Sequence, residues 1–447
     1  MKKFYLFSLS LLFSFFFTQV FSQTDPAQPN ILLIIADDMG TDATNGYENT
    51  GIMPVTPNID ALRSSGLTFM NAWAAPKCTP SRAAIFSGKY GVKTGVTDTP
   101  GNLEQSETSL FEALAAQTGN AYADALIGKW HLSSPQNVGQ VVGHGVDFFE
   151  GFLDAQVPDY FDWQMIDHLG TTTNVTDYAT SFLTDRAISW VNAQNQPWFM
   201  VMSHPAPHSP FHAPPSNLTT RTVNDNSSNR VRFVGAIEAM DTEIGRLLNN
   251  LPDPVLDNTL VIFVGDNGSP NGVLRVFPSQ HGKNTMYEGG VNVPLIVSGA
   301  GVTRAGEAET AMVHVADIFS TILEVTGASF PGGIHNSLSF HHLLSGSSGA
   351  TRPFNYSELG TDNNADWTIT DGRYKLISLA EGVQEFYDLQ TDPYETNNLI
   401  AGLSVAEQAA RVALDEEANQ IRAHWSCNDL IQNGDEGFID DCPVTDP

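Results

Sequence analysis

The chain has 447 residues, of which 41% are hydrophobic and 10% aromatic, so it can bury a sizeable core and wholesale disorder is not expected. Lys and Arg total 21 against 50 Asp and Glu, giving a formal net charge of −29 that argues against nucleic acid or an anionic membrane surface as the main partner. The three cysteines, Cys78, Cys427 and Cys442, are too few for a disulfide scaffold or a multi-cysteine zinc fold.

The strong acidity has two interpretations. In a saline medium the Debye length falls to about 4 Å, so a local basic pocket could still hold an anionic ligand on a negative protein. Alternatively, the charge simply keeps the protein soluble.

The N-terminus has the pattern of an export signal. Lys2 and Lys3 precede an apolar run from Phe4 to Phe17, and small residues follow as far as Ser22. This predicts a secretory signal peptide over residues 1–22, because an uncleaved membrane anchor needs about 20 apolar residues. We therefore expect an exported protein, periplasmic or secreted, with neither membrane nor nucleic acid as a partner.

Four short apolar runs are typical of buried parallel strands, and polar residues follow each run. The runs are Asn30–Ala36, Tyr122–Ile127, Pro197–Met202 and Thr259–Val264. Helical patterns lie between them, over Pro57–Ser65, Leu110–Ala116, Tyr178–Asn192 and Asn229–Asn249. The alternation predicts an α/β fold over residues 23–348, with a mixed, mostly parallel central sheet and helices on both faces.

The pattern changes after about residue 348, beyond a linker-like segment at Leu343–Thr351. Short hairpin strands are predicted at Trp367–Thr370, Arg373–Leu379 and Glu385–Leu389, followed by a helix over Val405–Trp425. These elements predict a C-terminal subdomain over residues 349–425, with a small antiparallel sheet and a helix. Residues 426–447 form an acidic tail.

Chemically useful residues follow the predicted strands of the main sheet. They are Asp37, Asp38, Lys129, His131, His204, Asp266 and Asn267. Ligands of open α/β sheets bind at the carboxyl ends of the strands, so we expect these residues to meet there. The acidic and amide oxygens suit a hard cation such as Ca²⁺ or Mg²⁺, although each pair alone could be a solvated turn or a helix cap.

Cys78 opens the segment Cys78-Thr79-Pro80-Ser81-Arg82. Pro80 fits the first turn of a helix, so Cys78 is expected at the helix N-terminus, which attracts anions and lowers the pKa of a thiol. A buried structural cysteine is the alternative. Lys129, Lys283 and the histidines could each be structural, but beside a metal they would make an oxyanion site with a general acid and base.

The motifs DDMG, CTPSR, GKWHL, APHSP, GDNG and GKNTMYEGG occur in this order from about Asn30 to Pro294. Their sequence and order resemble type I, formylglycine-dependent sulfatases, and in particular secreted bacterial polysaccharide sulfatases. The stretch Glu385–Leu399 is similar to the C-terminal subdomain of that family. The resemblance implies an alkaline-phosphatase-like fold. It also implies a sulfuric ester hydrolase that acts on a sulfated carbohydrate, such as the algal polysaccharides ulvan, carrageenan or fucoidan.

The resemblance also implies roles for individual residues. Cys78 would be converted to Cα-formylglycine by a formylglycine-generating or radical maturase, and the hydrated aldehyde would be the nucleophile. One Ca²⁺ would be held by Asp37, Asp38, residue 78, Asp266 and Asn267. The catalytic residues would be Cys78, His131, His208 and Asp266, and the sulfate would be bound by Arg82, Lys129, His208 and Lys283.

Two positions depart from the family pattern. Ser133 follows GKWHL where glycine is often found, and His204 competes with His208 for one role. The Pro-His-x-Pro context favours His208. In the tail, Cys427 and Cys442 bracket an acidic segment and are expected to pair in an exported protein. The segment is similar to calcium-binding loops that precede further modules, and a disordered acidic tail is the alternative.

Other functions fit the same motifs. An arylsulfatase, or a phosphonate or phosphate monoester hydrolase, could use the same scaffold and the same modified residue. A non-catalytic carbohydrate-binding protein with an unconverted Cys78 belongs to a different class.

Overall fold

The structure is a computed structural model, and it describes residues 28–47, 51–328, 336–361 and 364–423. The predicted signal peptide, Cys427, Cys442 and the acidic tail lie outside the described residues. Among the helices of the described ranges, none combines the length and the apolar character that a membrane crossing needs.

A ten-stranded sheet forms the centre of the molecule, in the order β10-β2-β9-β8-β1-β7-β3-β4-β5-β6. Its strands are β1 (Asn30–Ala36), β2 (Gly66–Trp73), β3 (Ala123–Lys129), β4 (Phe148–Phe152), β5 (Trp163–Asp167), β6 (Thr172–Val175), β7 (Trp198–His204), β8 (Thr259–Gly265), β9 (Leu295–Gly299) and β10 (Glu307–His314). The five central strands from β8 to β4 are parallel, while β9, β5 and β6 pair antiparallel. The predicted mixed, mostly parallel sheet is confirmed.

Helices cover both faces of this sheet. The α-helices of the described residues are α1 (Pro57–Ser65), α2 (Cys78–Ser87), α3 (Gly91–Thr94), α4 (Leu110–Thr118), α5 (Val138–Gly143), α6 (Ala179–Asn192), α7 (Asn229–Asn249), α8 (Asp253–Asp257), α9 (Glu288–Val291), α10 (Asp317–Val325), α11 (His341–Ser345) and α12 (Val405–Arg422). Alternate residues of β1 face opposite layers: Leu33 packs in the core with α2, α4 and α10, and Leu32 in the core with α1, α6 and α7. Because β1 is buried on both faces, its sequence is an unbroken apolar run.

A smaller antiparallel sheet follows, with strands β11 (Asn355–Leu359), β12 (Asp366–Thr370), β13 (Tyr374–Leu379) and β14 (Val383–Asp388) in that order. Helix α12 packs on it through Leu414 and Ala418, which join a core with Trp367 and Phe386. The predicted small sheet with a helix is therefore confirmed as part of the fold class. The division of the chain into domains at residue 348 stays a prediction.

Some elements differ from the predicted ones. Strand β3 continues to Lys129, because Gly128 and Lys129 still pair with β4. Strands β2, β9 and β10 were not predicted from the sequence. Their sequences are short or partly polar, and only pairing in the sheet gives them a strand conformation.

Candidate active site

Two loops at the carboxyl edge of the sheet bring together the predicted acidic and amide residues. Asp37 and Asp38 follow β1, and Asp266 and Asn267 follow the neighbouring strand β8. The backbone N–H of Asp38 donates to Asp266 Oδ1 over 3.0 Å, and Asn267 Nδ2 donates to Asp38 Oδ1 over 2.8 Å. Asp38 adopts the left-handed region with φ 71°, which turns the chain sharply at the strand end.

The oxygen atoms of this cluster fit a hard cation. Asp37 Oδ1 and Asn267 Oδ1 are buried and, among the described residues, have no hydrogen-bond partner. Ligand atoms of Asp37, Cys78 and Asp266 lie within 4.8 Å of one another. Buried carboxylate and amide oxygens without a donor are what Ca²⁺ or Mg²⁺ would satisfy.

Cys78 is the first residue of α2 and its side chain is buried. Pro80 lies in the first turn, as predicted, and Gly88 ends the helix in the left-handed region with φ 69°. The expected low thiol pKa is wrong for the unmodified residue. Burial raises the pKa of Cys78 and outweighs the opposing effect of Lys129 and Lys283.

Arg82 is fully buried and hydrogen-bonds to residues of the cluster. Its Nε and Nη2 atoms donate to Asp266 Oδ2 over 3.1 and 2.9 Å, and Nη1 donates to the Lys129 carbonyl and to Ser203 Oγ over 2.9 and 2.7 Å. Burial and the nearby Asp37 raise the pKa of Asp266, and they outweigh the Arg82 guanidinium, which lowers it. The contacts of Arg82 favour a role in steadying Asp266 over direct contact with a substrate.

Two lysines reach the same carboxylates. Lys129 Nζ lies 2.6 Å from Asp37 Oδ2, and Lys283 Nζ lies 2.5 Å from Asp38 Oδ1. Burial disfavours the ammonium form of Lys283, but Asp38 and its other neighbours outweigh burial and raise the pKa of this lysine. Burial likewise favours the neutral form of Asp37, but Lys129 leads a set of positive groups that lower its pKa.

The predicted histidines separate into two groups. His131 and His208 lie at the cluster: His131 Nδ1 is 3.3 Å from Cys78 Sγ, and His208 Nε2 is 3.6 Å from Asp38 Oδ2. Burial, together with Lys129 and Arg82, lowers the pKa of His131 to about 2, so its imidazole is neutral.

His204, in contrast, is fully buried at the end of β7. Burial lowers its pKa to about 3, and neither ring nitrogen has a hydrogen-bond partner among the described residues. Of the two competing histidines, His208 is the one at the cluster, as predicted. Ser133 is also buried, two residues beyond His131.

Several residues that support the site were missed by the sequence analysis. Ser203 Oγ donates to the Lys129 carbonyl over 2.7 Å, and Ser269 Oγ accepts from the Gly40 N–H over 3.1 Å. Thr79 Oγ1 lies 3.3 Å from His131 Nδ1 and 2.7 Å from Thr99 Oγ1. Ser203 could have been suspected because it follows the predicted run that ends at Met202, and Ser269 because it follows the loop after β8, but Thr99 lies in a loop that carries no such signal.

The family model for sulfatases matches residues 29–328, and the model for the C-terminal region of N-sulphoglucosamine sulphohydrolase matches residues 279–424. The chain belongs to the sulfatase family. The matched range contains every residue of the cluster described above, from Asp37 to Lys283.

Curated relatives in the sulfatase family have similar sequences. Human N-acetylgalactosamine-6-sulfatase is 29% identical over 348 residues, which cover 68% of this chain and 63% of the relative. The chain thus spans less than two thirds of that relative's length. A sulfatase of Formosa agariphila is 27% identical over 513 aligned positions, covering 91% of this chain and 89% of the relative.

Solved sulfatase structures share the fold. The crystal structure of Ps i-CgsB in complex with a neocarrahexaose matches with a TM-score of 0.75 at 23% identity, over 88% of this chain and 93% of the other. The structure of BT4656 in complex with D-glucosamine-2-N,6-O-disulfate matches with a TM-score of 0.72 at 22% identity, over 88% and 98%. At these identities the likeness supports the fold alone.

Proposed function

We propose that this sulfatase-family protein is a sulfuric ester hydrolase that removes sulfate from a sulfated carbohydrate. One observation carries the proposal: a buried Cys78 at a helix start lies beside a cluster of acidic oxygens, two lysines and two histidines. These groups come from the ends of separate strands and from distant loops. Their convergence on one cysteine fits the roles that the family motifs imply.

The charges of the cluster suit an anionic substrate. Three carboxylates, of Asp37, Asp38 and Asp266, face three fixed cations, of Arg82, Lys129 and Lys283, so these side chains cancel. A bound divalent cation would therefore leave the pocket with a net positive charge. A sulfate ester has charged oxygens that repel a nucleophile, and a positive pocket offsets that repulsion.

The cofactors of the proposal are one Ca²⁺ and a Cα-formylglycine made from Cys78 by a maturase. Asp37, Asp38, Asp266, Asn267 and residue 78 would hold the cation. When bound, the cation would neutralise charge and the hydrated aldehyde would supply a nucleophilic oxygen. The Cys78 thiol is a poor nucleophile in its place, because burial raises its pKa and keeps it protonated.

The remaining side chains handle charge and protons. Lys129 and Lys283 hold the sulfate oxygens, and Arg82 keeps the Asp266 carboxylate in place as a base. His208 Nε2, which lies 3.6 Å from Asp38 Oδ2, would donate the proton that the departing sugar alcohol needs. His131 Nδ1 adjoins residue 78, so it would be placed to accept the proton of the second hydroxyl of the hydrated residue when sulfate is released.

The substrate class is proposed from the relatives and from the predicted export. The curated relatives include a sulfatase named for N-acetylgalactosamine 6-sulfate, and solved neighbours hold a neocarrahexaose or a sulfated glucosamine. Export would place the enzyme where polysaccharides are degraded. We propose algal polysaccharides, ulvan, carrageenan or fucoidan, or oligosaccharides derived from them.

Two measurements test the function. A peptide mass spectrum must find residue 78 as the aldehyde or its hydrate, and an unconverted cysteine in all molecules would favour a non-catalytic binding protein. Sulfate release is then measured on ulvan, carrageenan, fucoidan and glycosaminoglycan fragments, with and without added salt. Cleavage of an aryl or choline sulfate alone would remove the carbohydrate assignment but keep the sulfatase.

A matched pair of aryl esters separates the remaining alternative. The protein should hydrolyse 4-nitrophenyl sulfate faster than 4-nitrophenyl phosphate. The opposite order would make it a phosphate or phosphonate monoester hydrolase on the same scaffold.

A further inference from the structure

Tyr160 is a buried residue whose phenol hydroxyl contacts the backbone of the turn that contains His208. It lies between β4 and β5, and its side chain is 1% exposed. Its hydroxyl oxygen is 2.7 Å from the Pro205 carbonyl and 2.8 Å from the His208 carbonyl. Carbonyl oxygens only accept hydrogen bonds, so the hydroxyl donates into this turn.

The turn that Tyr160 contacts sets the position of the His208 ring. The His208 N–H donates to the Pro205 carbonyl over 3.0 Å, and the Asp37 N–H donates to the Ala206 carbonyl over 3.2 Å. His208 Nδ1 is 2.8 Å from the Ser209 carbonyl, so Nδ1 carries a hydrogen and Nε2 faces Asp38. The orientation of Nε2 therefore depends on the backbone from residue 205 to residue 209.

The aromatic surroundings hold Tyr160 in this orientation. His212 stacks on its ring with centroids 3.8 Å apart, and His212 Nε2 accepts from the Tyr178 hydroxyl over 3.0 Å. Burial raises the pKa of Tyr160 well above its usual value, so the phenol keeps its hydrogen. Among the described residues, Tyr160 is the side-chain donor to both the Pro205 and the His208 carbonyl.

We infer that Tyr160 is a positioning residue that holds His208 where it can protonate the leaving alcohol. This inference rests on the proposed function. It predicts a difference in rate between substrates, because the rate gain from a general acid depends on the leaving group. A sugar alcohol is a poor leaving group and needs the proton, whereas 4-nitrophenolate is stable enough to depart without it.

The test compares Tyr160→Phe with the unchanged protein on a sulfated oligosaccharide and on 4-nitrophenyl sulfate. Phenylalanine keeps the ring and its stacking on His212 but removes the donor. We expect kcat on the oligosaccharide to fall about tenfold to hundredfold, which is less than the 10²–10⁴-fold effect of a whole general acid because His208 is displaced and not removed. The fall on the aryl ester should be several times smaller.

Tyr122→Phe is the matched control, because the buried Tyr122 phenol also donates to a backbone carbonyl, that of Pro29 over 3.0 Å, but at the opposite edge of the sheet. Its ratio of the two rates should equal that of the unchanged protein. Thermal unfolding and the converted fraction of residue 78 are measured for each variant. An equal loss on both substrates, or the same shift of the ratio in Tyr122→Phe, would overturn the inference.

A double-mutant cycle provides a second measurement. If Tyr160 acts through His208, then Tyr160→Phe should cause no further loss on the oligosaccharide once His208→Ala is present. Losses that multiply would contradict the inference. An unchanged protein that cleaves no sulfate ester would instead contradict the proposed function, so the two failures are distinguishable.

Discussion

The environment of residue 78 acts on its thiol in two opposing ways. A helix start favours a thiolate, but this one lies in a closed site where burial raises the pKa of the thiol. A protonated thiol is a poor nucleophile, so the unmodified side chain has little chemical use at pH 7. Conversion to the aldehyde would remove that limitation.

The first prediction concerns Cys78→Ala. Turnover should be lost, because alanine cannot be converted, whereas the thermal midpoint should change by only a few degrees because a small side chain is removed. Sulfate release and thermal unfolding measure the two effects. The double variant Cys427→Ala/Cys442→Ala removes the other two cysteines, which are expected to pair, and should stay active as the control. Full activity in Cys78→Ala would refute the proposed nucleophile.

At the scale of elements, the pairing of β3 with β7 places the carbonyl of Lys129 where it accepts a hydrogen bond from the Arg82 guanidinium. Gly128 has φ 114° and pairs with Ser203, and a Cβ on it would lie 1.8 Å from the Ser203 carbonyl oxygen. Only glycine permits this approach. Ser203 and Lys129 are in turn the partners of the Arg82 guanidinium.

The second prediction therefore concerns Gly128→Ala. It should cost about 2–5 kcal/mol of unfolding free energy, combining about 1–2 for the left-handed backbone with about 1–3 for the clash. Activity should fall as well, because Lys129 and Arg82 shift. Urea unfolding and sulfate release provide the measurements.

Gly119→Ala is the matched control for backbone strain. Gly119 has φ 66° and open space where its Cβ would be, so only the strain should remain. Equal losses in the two variants would mean that the contact with Ser203 does not require glycine.

At the scale of the whole molecule, the proposed cation would join loops that follow β1 and β8 to the start of α2. The third prediction is that chelation abolishes activity and lowers the thermal midpoint, and that calcium restores both. A ligand that binds only the folded state stabilises it, by about 2.7 kcal/mol at a hundred times its Kd.

Asp37→Asn is the control for calcium removal, and its midpoint should respond much less to calcium. Metal analysis of the purified active enzyme completes the test. Zinc without calcium or magnesium in that sample would show the assignment to be wrong.

A buried group of charged side chains links the small sheet to α9. Lys375 of β13 lies 2.9 Å from Glu288 Oε1 and 2.8 Å from Glu395 Oε1, with Trp73 beneath its ammonium group. Burial raises the pKa of Glu395 from 4.5 to about 7. The Lys375 ammonium group opposes this rise, and the Glu288 carboxylate adds to it. One lysine thus faces two acids in a closed space.

The fourth prediction follows from this pKa. The folded state keeps the Glu395 proton at pH values where the unfolded chain has lost it, so the unfolding free energy should fall as pH rises from 4.5 to about 7. The fall could reach about 3 kcal/mol. Glu395→Gln cannot ionise and should show a shallower fall in urea titrations across this range. The exposed Glu416→Gln is the control, and an identical slope for all three proteins would contradict the assignment.

The sequence was most informative where chemistry and secondary structure share a short segment. The apolar run of β1 ends at Asp37 and Asp38, and Cys78 and Pro80 open a helix, so these features could be predicted locally. Tyr160 illustrates the opposite case. It lies in a loop, and its value comes from a turn 45 residues away along the chain.

The sequence by itself determined the alternation of buried strands and helices, the motifs of the family and the types of donor atom at the site. These depend on local composition and on which residues follow each strand. Only the tertiary structure decided the distances of the histidines from the acidic cluster, the pKa of Cys78, and the partners of Arg82. Each of these depends on burial and on charges from distant segments, and the electrostatic energy of a side chain depends on its distances in space rather than on its separation along the chain.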